Sequence, residues 1–183
     1  MKQGLTLDYW IILSYSIALQ LNWSLSIPSI PDVTMCNLII RRAKTIDAAE
    51  IAVCLSALGY GTTCGMITER LVSYADSSTD VVVVASGGDF TSLLGVVSVH
   101  LLPLFHTTGL LGRITSLAAD PLAQGNCVGR ALVLAAEQWA WSKGAQRMEV
   151  TSGDHRSAAH AFYQAVGYLL DERRFIKHAA EAS

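Results

Sequence analysis

The chain is expected to fold as an α/β protein of the α+β type, with a mixed central β-sheet flanked by helices. Strand-like β-branched runs and apolar positions at helical spacing interleave along it, without the regular βαβ repeat of a parallel sheet. At 183 residues and 51% hydrophobic content, it is long enough for one domain with a sizeable core and too short for two comfortable ones.

The elements follow in order. Cys36-Asn37-Leu38-Ile39-Ile40-Arg41 reads as a first strand. Thr45 is placed to cap a helix, with Asp47 in the first turn where the helix dipole favours negative charge. Ile51, Leu55 and Leu58 recur at helical spacing, and Gly59 supplies the stop. Met66–Tyr74 predicts a second short helix. Asp80-Val81-Val82-Val83-Val84-Ala85 is a β-branched strand, and Gly87-Gly88-Asp89 turns it into a further strand at Leu93–Leu102. Another apolar run, Leu111–Ala119, ends at Asp120-Pro121. Leu132, Ala135, Ala136, Trp139 and Ala140 mark one face of a helix closed by Gly144. Met148-Glu149-Val150-Thr151 is a short strand, Ala159, Phe162, Tyr163 and Val166 mark another helix ended by Gly167, and Tyr168–Ile176 returns as a strand.

Met1–Thr34 has a different character. Its apolar run, Tyr9 to Leu19, falls well short of the roughly 20 apolar residues of a membrane span, so no stable span is expected. A nearly neutral start and the lack of an A-x-A site make it a poor signal peptide. Met35 stands directly before a well-formed domain start. The segment is read as an appendage, with a mis-assigned start as the leading explanation and a membrane or export signal as the alternative, and the domain as residues 36–183.

Net charge is −2 and charged residues make up 15%, which argues against a general nucleic-acid binder. Cys36, Cys54, Cys64 and Cys127 form no CxxC pair, and the histidines do not fall at zinc-ligand spacing, so no metal site is expected. Free thiols point to a reduced, cytoplasmic protein.

The informative segment runs from Ile114 to Leu132. It joins a strand to a helix through Asp120-Pro121-Leu122-Ala123-Gln124-Gly125-Asn126-Cys127-Val128-Gly129-Arg130. A loop with two glycines before a helix can turn successive backbone N–H groups inward, and the helix N-terminus adds partial positive charge. Together these suit a pyrophosphate. An ordinary strand–helix turn would look the same in isolation.

The wider pattern is more specific. The loop resembles the acyl-CoA motif of the GNAT acetyltransferase superfamily, Arg/Gln-x-x-Gly-x-Gly/Ala, with Gln124 first, Gly129 last and Cys127 in place of the middle glycine. Downstream, Ala159-His160-Ala161-Phe162-Tyr163, then Gly167-Tyr168 and Arg174-Phe175-Ile176-Lys177, is similar to a GNAT subgroup that includes aminoalkylphosphonate N-acetyltransferases. The resemblance extends from about Leu38 to His178.

It implies a GNAT fold whose split central strands hold acetyl-CoA, and direct attack on the thioester by a primary amine, expected to belong to a small molecule. Leu117, Ala118 and Ala119 would supply an oxyanion N–H and pair with the pantetheine arm. Gln124, Gly125, Asn126, Cys127, Val128, Gly129 and Arg130 would hold the pyrophosphate. Arg156 would touch a CoA phosphate or cap the helix surface. Tyr163 would be the acid for the CoA thiolate, although a thiol near pKa 8.5 lies below a phenol near 10, so positioning must help. If the Cys127 position needs positive φ, a cysteine there is strained.

The general base is open. Arg113, Thr115 and Ser116 occupy the strand where many family members carry glutamate, which leaves Asp154, His155, His160, His100 and His106 as candidates. Two other readings stay in view: acetylation of a protein N-terminus or lysine, and a catalytically silent acyl-CoA-binding regulatory domain. Many family members dimerise, so a homodimer is also open.

Overall fold

In a computed structural model, the described residues are 38–88, 92–120, 123 and 127–171. The expectations for Met1–Thr34, for Gln124, Gly125 and Asn126, and for Arg174–Lys177 lie outside them.

Five strands form one sheet in chain order: β1 (Leu38–Arg42), β2 (Asp80–Gly87), β3 (Leu93–Pro103), β4 (Leu110–Ala119) and β5 (Ala145–Val150). The first four are antiparallel neighbours, and β5 runs parallel to β4. The sheet is therefore mixed, as expected. A crossover helix, α3 (Val128–Ser142), is what permits the one parallel pair.

Both faces of the sheet are covered. The valines of β2 alternate, so Val81 and Val83 face one layer while Val82 and Val84 face the other. The first layer is α3, where Val128, Leu132, Ala136 and Ala140 recur every four residues and are all buried. Val128, Leu132 and Ala136 pack on Val97, Val99 and Ile114. Gly95 is required at this layer, because a Cβ there would stand 2.8 Å from the Ala118 carbonyl oxygen and 3.0 Å from Leu132 and Val128 side-chain carbons. The second layer is α1 (Ala48–Ser56) and α2 (Cys64–Tyr74), set on Val84, Leu93, Val96 and Ala118. Glu50 ties α1 to β3 by accepting from the Leu93 N–H at 2.7 Å. Last comes α4 (Ser157–Ala165).

Three local expectations are corrected. Thr45 does not cap α1: it begins a short 3-10 turn, Thr45–Asp47, and Asp47 holds the junction by accepting from the Lys44 N–H at 2.7 Å. The second helix starts at Cys64, two residues early, since Thr63 caps it by accepting from the Met66 N–H at 3.3 Å. Tyr168–Asp171 is not strand, and Leu169 and Leu170 stand exposed at 90% and 82%. The expected strand from Tyr168 therefore does not begin there. Among the described residues no helix is long and apolar enough to cross a membrane.

Asp47 is only 5% exposed and receives both Arg41 guanidinium nitrogens at 2.7 Å. The Arg41 hydrogen bond outweighs burial and holds its carboxyl below the ordinary range. A carboxylate with a lowered folded pKa stabilises above its unfolded pKa, near 3.9, and that contribution is lost as pH falls through the folded value. Urea unfolding of Asp47→Asn is therefore expected to show lower stability than the parent at pH 7, with the gap closing below about pH 4; a gap constant down to pH 2.5 would exclude the linkage.

Candidate active site

The site originates in a defect of β4. Val99 lies opposite Ile114 but Ser98 lies opposite Ser116, so Thr115 is an extra residue, a β-bulge. The phase of the strand shifts there: Ile114 and Leu117, three residues apart, both pack against the α3 layer. Pairing of β4 with β5 also ends at this point, with Ile114 opposite Val150. Beyond it the two strands part. The outer edge of Leu117–Ala119 keeps its backbone groups unpaired by any described strand on that side.

A cleft of about 540 Å³ opens in this gap. Ile114 to Ala119 form one wall, Val150, Thr151 and Ser152 the other. The first turn of α3 closes one end through Cys127, Val128, Gly129 and Arg130, and Arg156, Ala159, Phe162 and Tyr163 of the α4 region close the side. Leu58 and Tyr60 reach in from the α1–α2 connection. Of the expected site residues, the structure thus gathers Leu117, Ala118, Ala119, Cys127, Val128, Gly129, Arg130, Arg156 and Tyr163 around one cleft. Another cleft, of about 450 Å³ beside Arg42–Thr45 and α2, contains none of them.

The α3 N-terminus is exposed to the cleft in a useful way. The first intrahelical bond runs from the Ala131 N–H to the Cys127 carbonyl at 2.9 Å. The N–H groups of Cys127 to Arg130 precede that bond and have no partner within the helix, so they offer a cluster of donors with the dipole's positive end. Cys127 has φ of 60°, the one non-glycine positive φ among the described residues. A side chain there costs about 1–2 kcal/mol. Gly129 is small for a second reason: a Cβ would come 3.2 Å from Phe162, so glycine lets α4 approach α3.

Tyr163 packs edge-on to Phe162, with ring centroids 5.3 Å apart, and beside Tyr168 at 5.8 Å. Burial pushes its phenol pKa up, and the nearby Arg156 charge only partly offsets this. The hydroxyl therefore keeps its proton at neutral pH. Arg156 donates to the Leu58 carbonyl at 3.1 Å, which ties the start of α4 to the end of α1. Arg130 donates to the Ala165 carbonyl at 3.3 Å.

Sequence reasoning did not find Leu58, Thr151, Ser152 or Phe162 as lining residues, since they converge only through topology. Of the five candidate bases, none lines the cleft. Among the described residues no group of three or more His, Cys, Asp or Glu side chains could hold a metal ion.

Residues 59–168 match the model of the Acetyltransferase (GNAT) family. The chain belongs to this family. A curated relative of the GNAT chain is the aminoalkylphosphonate N-acetyltransferase of Salmonella typhimurium, 32% identical over 85 residues. That match covers 46% of the GNAT chain and 55% of the relative, so the chain spans about half the relative's length. Among solved structures, a transcriptional regulator from Bacillus halodurans superposes with a TM-score of 0.70 at 18% identity, over 78% of this chain and 99% of that one. Glucosamine-6-phosphate N-acetyltransferase from Arabidopsis thaliana gives 0.68 at 18% identity, over 77% and 97%. At such identities the likeness speaks for the GNAT fold.

Proposed function

We propose that this GNAT chain transfers the acetyl group of acetyl-CoA to a primary amine of a small molecule, by direct attack within a ternary complex. The observation that carries the reading is the parting of β4 and β5 at Thr115. It leaves the Leu117–Ala119 edge facing a cleft closed at one end by the first turn of α3, where the Cys127–Arg130 N–H groups precede the first intrahelical bond.

Those features fit the co-substrate on physical grounds. An open strand edge suits an amide-bearing arm, which can add as a strand. Clustered N–H donors at a helix start suit a pyrophosphate, and the residues holding it would be Cys127, Val128, Gly129 and Arg130, with Gln124, Gly125 and Asn126 before them. When bound, acetyl-CoA supplies the acetyl thioester. The chain's residues do the rest: a β4 N–H holds negative charge developing on the carbonyl oxygen, and Tyr163 presents a retained proton toward the leaving sulfur. Arg156, engaged with Leu58, orders the wall beside Tyr163. Leu58 and Tyr60 border the acceptor side. The free thiols Cys54, Cys64 and Cys127 agree with a reducing, cytoplasmic setting, and a homodimer belongs to the same reading.

The test is a thermal shift with acetyl-CoA, followed by thiol release with an amine panel comprising an aminoalkylphosphonate, glucosamine 6-phosphate, ethanolamine and a lysine peptide. At a hundredfold excess over Kd, binding should stabilise the chain by about 2.7 kcal/mol, and one of the small amines should release thiol. No shift would reject the reading. A shift without turnover would favour a silent acyl-CoA-binding domain, and turnover of the peptide alone would favour a protein acetyltransferase.

A further inference from the structure

Among the described residues, the cleft wall contains no carboxylate and no imidazole, yet an amine that arrives as ammonium must lose a proton before it can attack. Four side chains from β2, β3 and β4 meet behind the bulge and bear on this. The Asp80 carboxylate accepts from Ser77 Oγ at 2.6 Å and Thr79 Oγ1 at 2.9 Å. Its other oxygen lies 2.6 Å from His100 Nδ1. On the far side of the ring, His100 Nε2 lies 2.9 Å from Thr115 Oγ1. Thr115 Oγ1 is also 2.8 Å from Ser98 Oγ, and Thr115 lines the cleft.

One pattern of these contacts leaves an acceptor facing the cleft. An ionised carboxylate only accepts, so His100 Nδ1 carries a hydrogen, and in that pattern Nε2 holds a lone pair. The Thr115 hydroxyl then donates to Nε2 and accepts from Ser98, which leaves one lone pair for an occupant of the cleft. Thr151, on the opposite wall, offers no equivalent. It accepts from Arg113 Nη2 at 2.6 Å, and Arg113 in turn meets Glu149 at 3.2 Å. A guanidinium stays protonated, so it passes no proton on to Glu149.

We propose that Asp80, His100 and Thr115 form the path by which the acceptor amine is deprotonated, a proposal that rests on the transferase reading above. A first ammonium proton passes to the Thr115 oxygen while the hydroxyl proton moves to His100 Nε2. Nitrogen keeps the freed pair and forms the N–C bond. The imidazolium is balanced by Asp80 and returns its proton to solvent. As the C–S bond breaks, its pair stays on sulfur, which takes a proton from Tyr163. The second nitrogen proton, released as the amide forms, makes good that loss. Thr115 is then the catalytic group, and His100 and Asp80 act through it.

Charged and titratable neighbours reach His100 from each element packed on it. Asp80 comes from β2 and bonds its Nδ1. Arg113 is its cross-strand partner on β4, and Glu149 of β5 pairs with Arg113. Tyr74 of α2 sets its ring edge-on at 5.6 Å. Burial alone would raise the Asp80 carboxyl, but the hydrogen bonds from Ser77, His100 and Thr79 outweigh it and hold Asp80 below its ordinary value.

The experiment has two parts on the full chain. Ring ¹⁵N shifts of the free protein should show His100 as the Nδ1–H tautomer above its titration; an Nε2–H ring would overturn the proposal. Then kcat/KM against pH, with whichever panel amine turns over fastest, is compared for the parent, His100→Gln, Thr115→Val and Thr115→Ser. At pH 7 the Gln and Val variants are expected to fall about 100-fold and to lose the acid limb. Their acetyl-CoA thermal shift should stay unchanged, and Thr115→Ser should recover most activity. Variants within twofold of the parent, acid limb included, would overturn the path while leaving the transferase reading intact. An acetyl adduct on Thr115 would overturn it in favour of a nucleophile. A parent that turns over no amine would remove the transferase reading and this path with it.

Discussion

Replacing Tyr163 by phenylalanine is expected to lower kcat by about 100-fold or more, with the acetyl-CoA-induced rise in Tm retained. The two readouts separate because the ring and the hydroxyl do different things. The ring packs on Phe162 and Tyr168 and so maintains the α4 wall of the cleft, whereas the hydroxyl alone can serve the leaving sulfur. Burial raises its pKa, which makes it a poor acid in the thermodynamic sense: a thiolate, with a thiol pKa near 8.5, is a weaker base than the phenolate. In the proposed role the hydroxyl would hold a hydrogen bond to sulfur as charge builds, and transfer its proton only as the bond breaks. One corollary is that Tyr163 gives no alkaline limb to the rate below about pH 10. A Tyr163→Phe enzyme with unchanged kcat would remove the acid assignment. One that loses the acetyl-CoA shift as well would assign Tyr163 to co-substrate binding.

The second large effect is on stability. Leu132 is fully buried at 0% exposure, one turn into α3 beyond Val128, and its Cδ1 lies within the space that Gly95 leaves open. Leu132→Ala removes three heavy atoms from a layer in which Val97, Val99 and Ile114 sit on strands and cannot collapse inward. Such truncations cost about 2–5 kcal/mol, and near 3 kcal/mol the Tm of a chain this size should drop by roughly 6–12 °C. The cavity would open beneath the strand edge and the first turn of α3 together. Acetyl-CoA is accordingly expected to restore part of the lost Tm, but with weaker affinity than in the parent. A loss under 1 kcal/mol by urea unfolding would mean that the α3 layer repacks freely.

Much of this arrangement was legible in the residues. The valine run of β2, the four-residue spacing of α3 and the stop at Gly59 are local signals, and each predicted its element. Cys127–Arg130 and Tyr163 were found by their pattern in the chain, and they do share one cleft. What was not legible depends on register. Ile114-Thr115-Ser116-Leu117 reads as an unbroken strand, and only its apolar spacing of three, where a flat strand wants two, hints at the bulge. Without the bulge there is no gap between β4 and β5, and no reason for Leu58, Tyr60 or Ser152 to line anything. The Asp80–His100–Thr115 contact was hidden for the same reason: 35 residues separate its ends, and three strands must be aligned before they meet. At Tyr168–Asp171 the chain misled, because the apolar residues there suggested a strand, whereas the backbone is not strand and Leu169 and Leu170 stand exposed.

The gap also leaves a hazard between β4 and β5. Elsewhere edge strands sit at the margins of a fold and can be blunted by charge or proline; here the edge is Leu117-Ala118-Ala119, apolar and uncharged. Any extended peptide, including a stretch of a neighbouring copy, could zip onto it as an added strand. A tenant in the cleft would therefore act as a guard as well as a reactant. If acetyl-CoA binds as proposed, storage and concentration of the chain should be safest with it in excess.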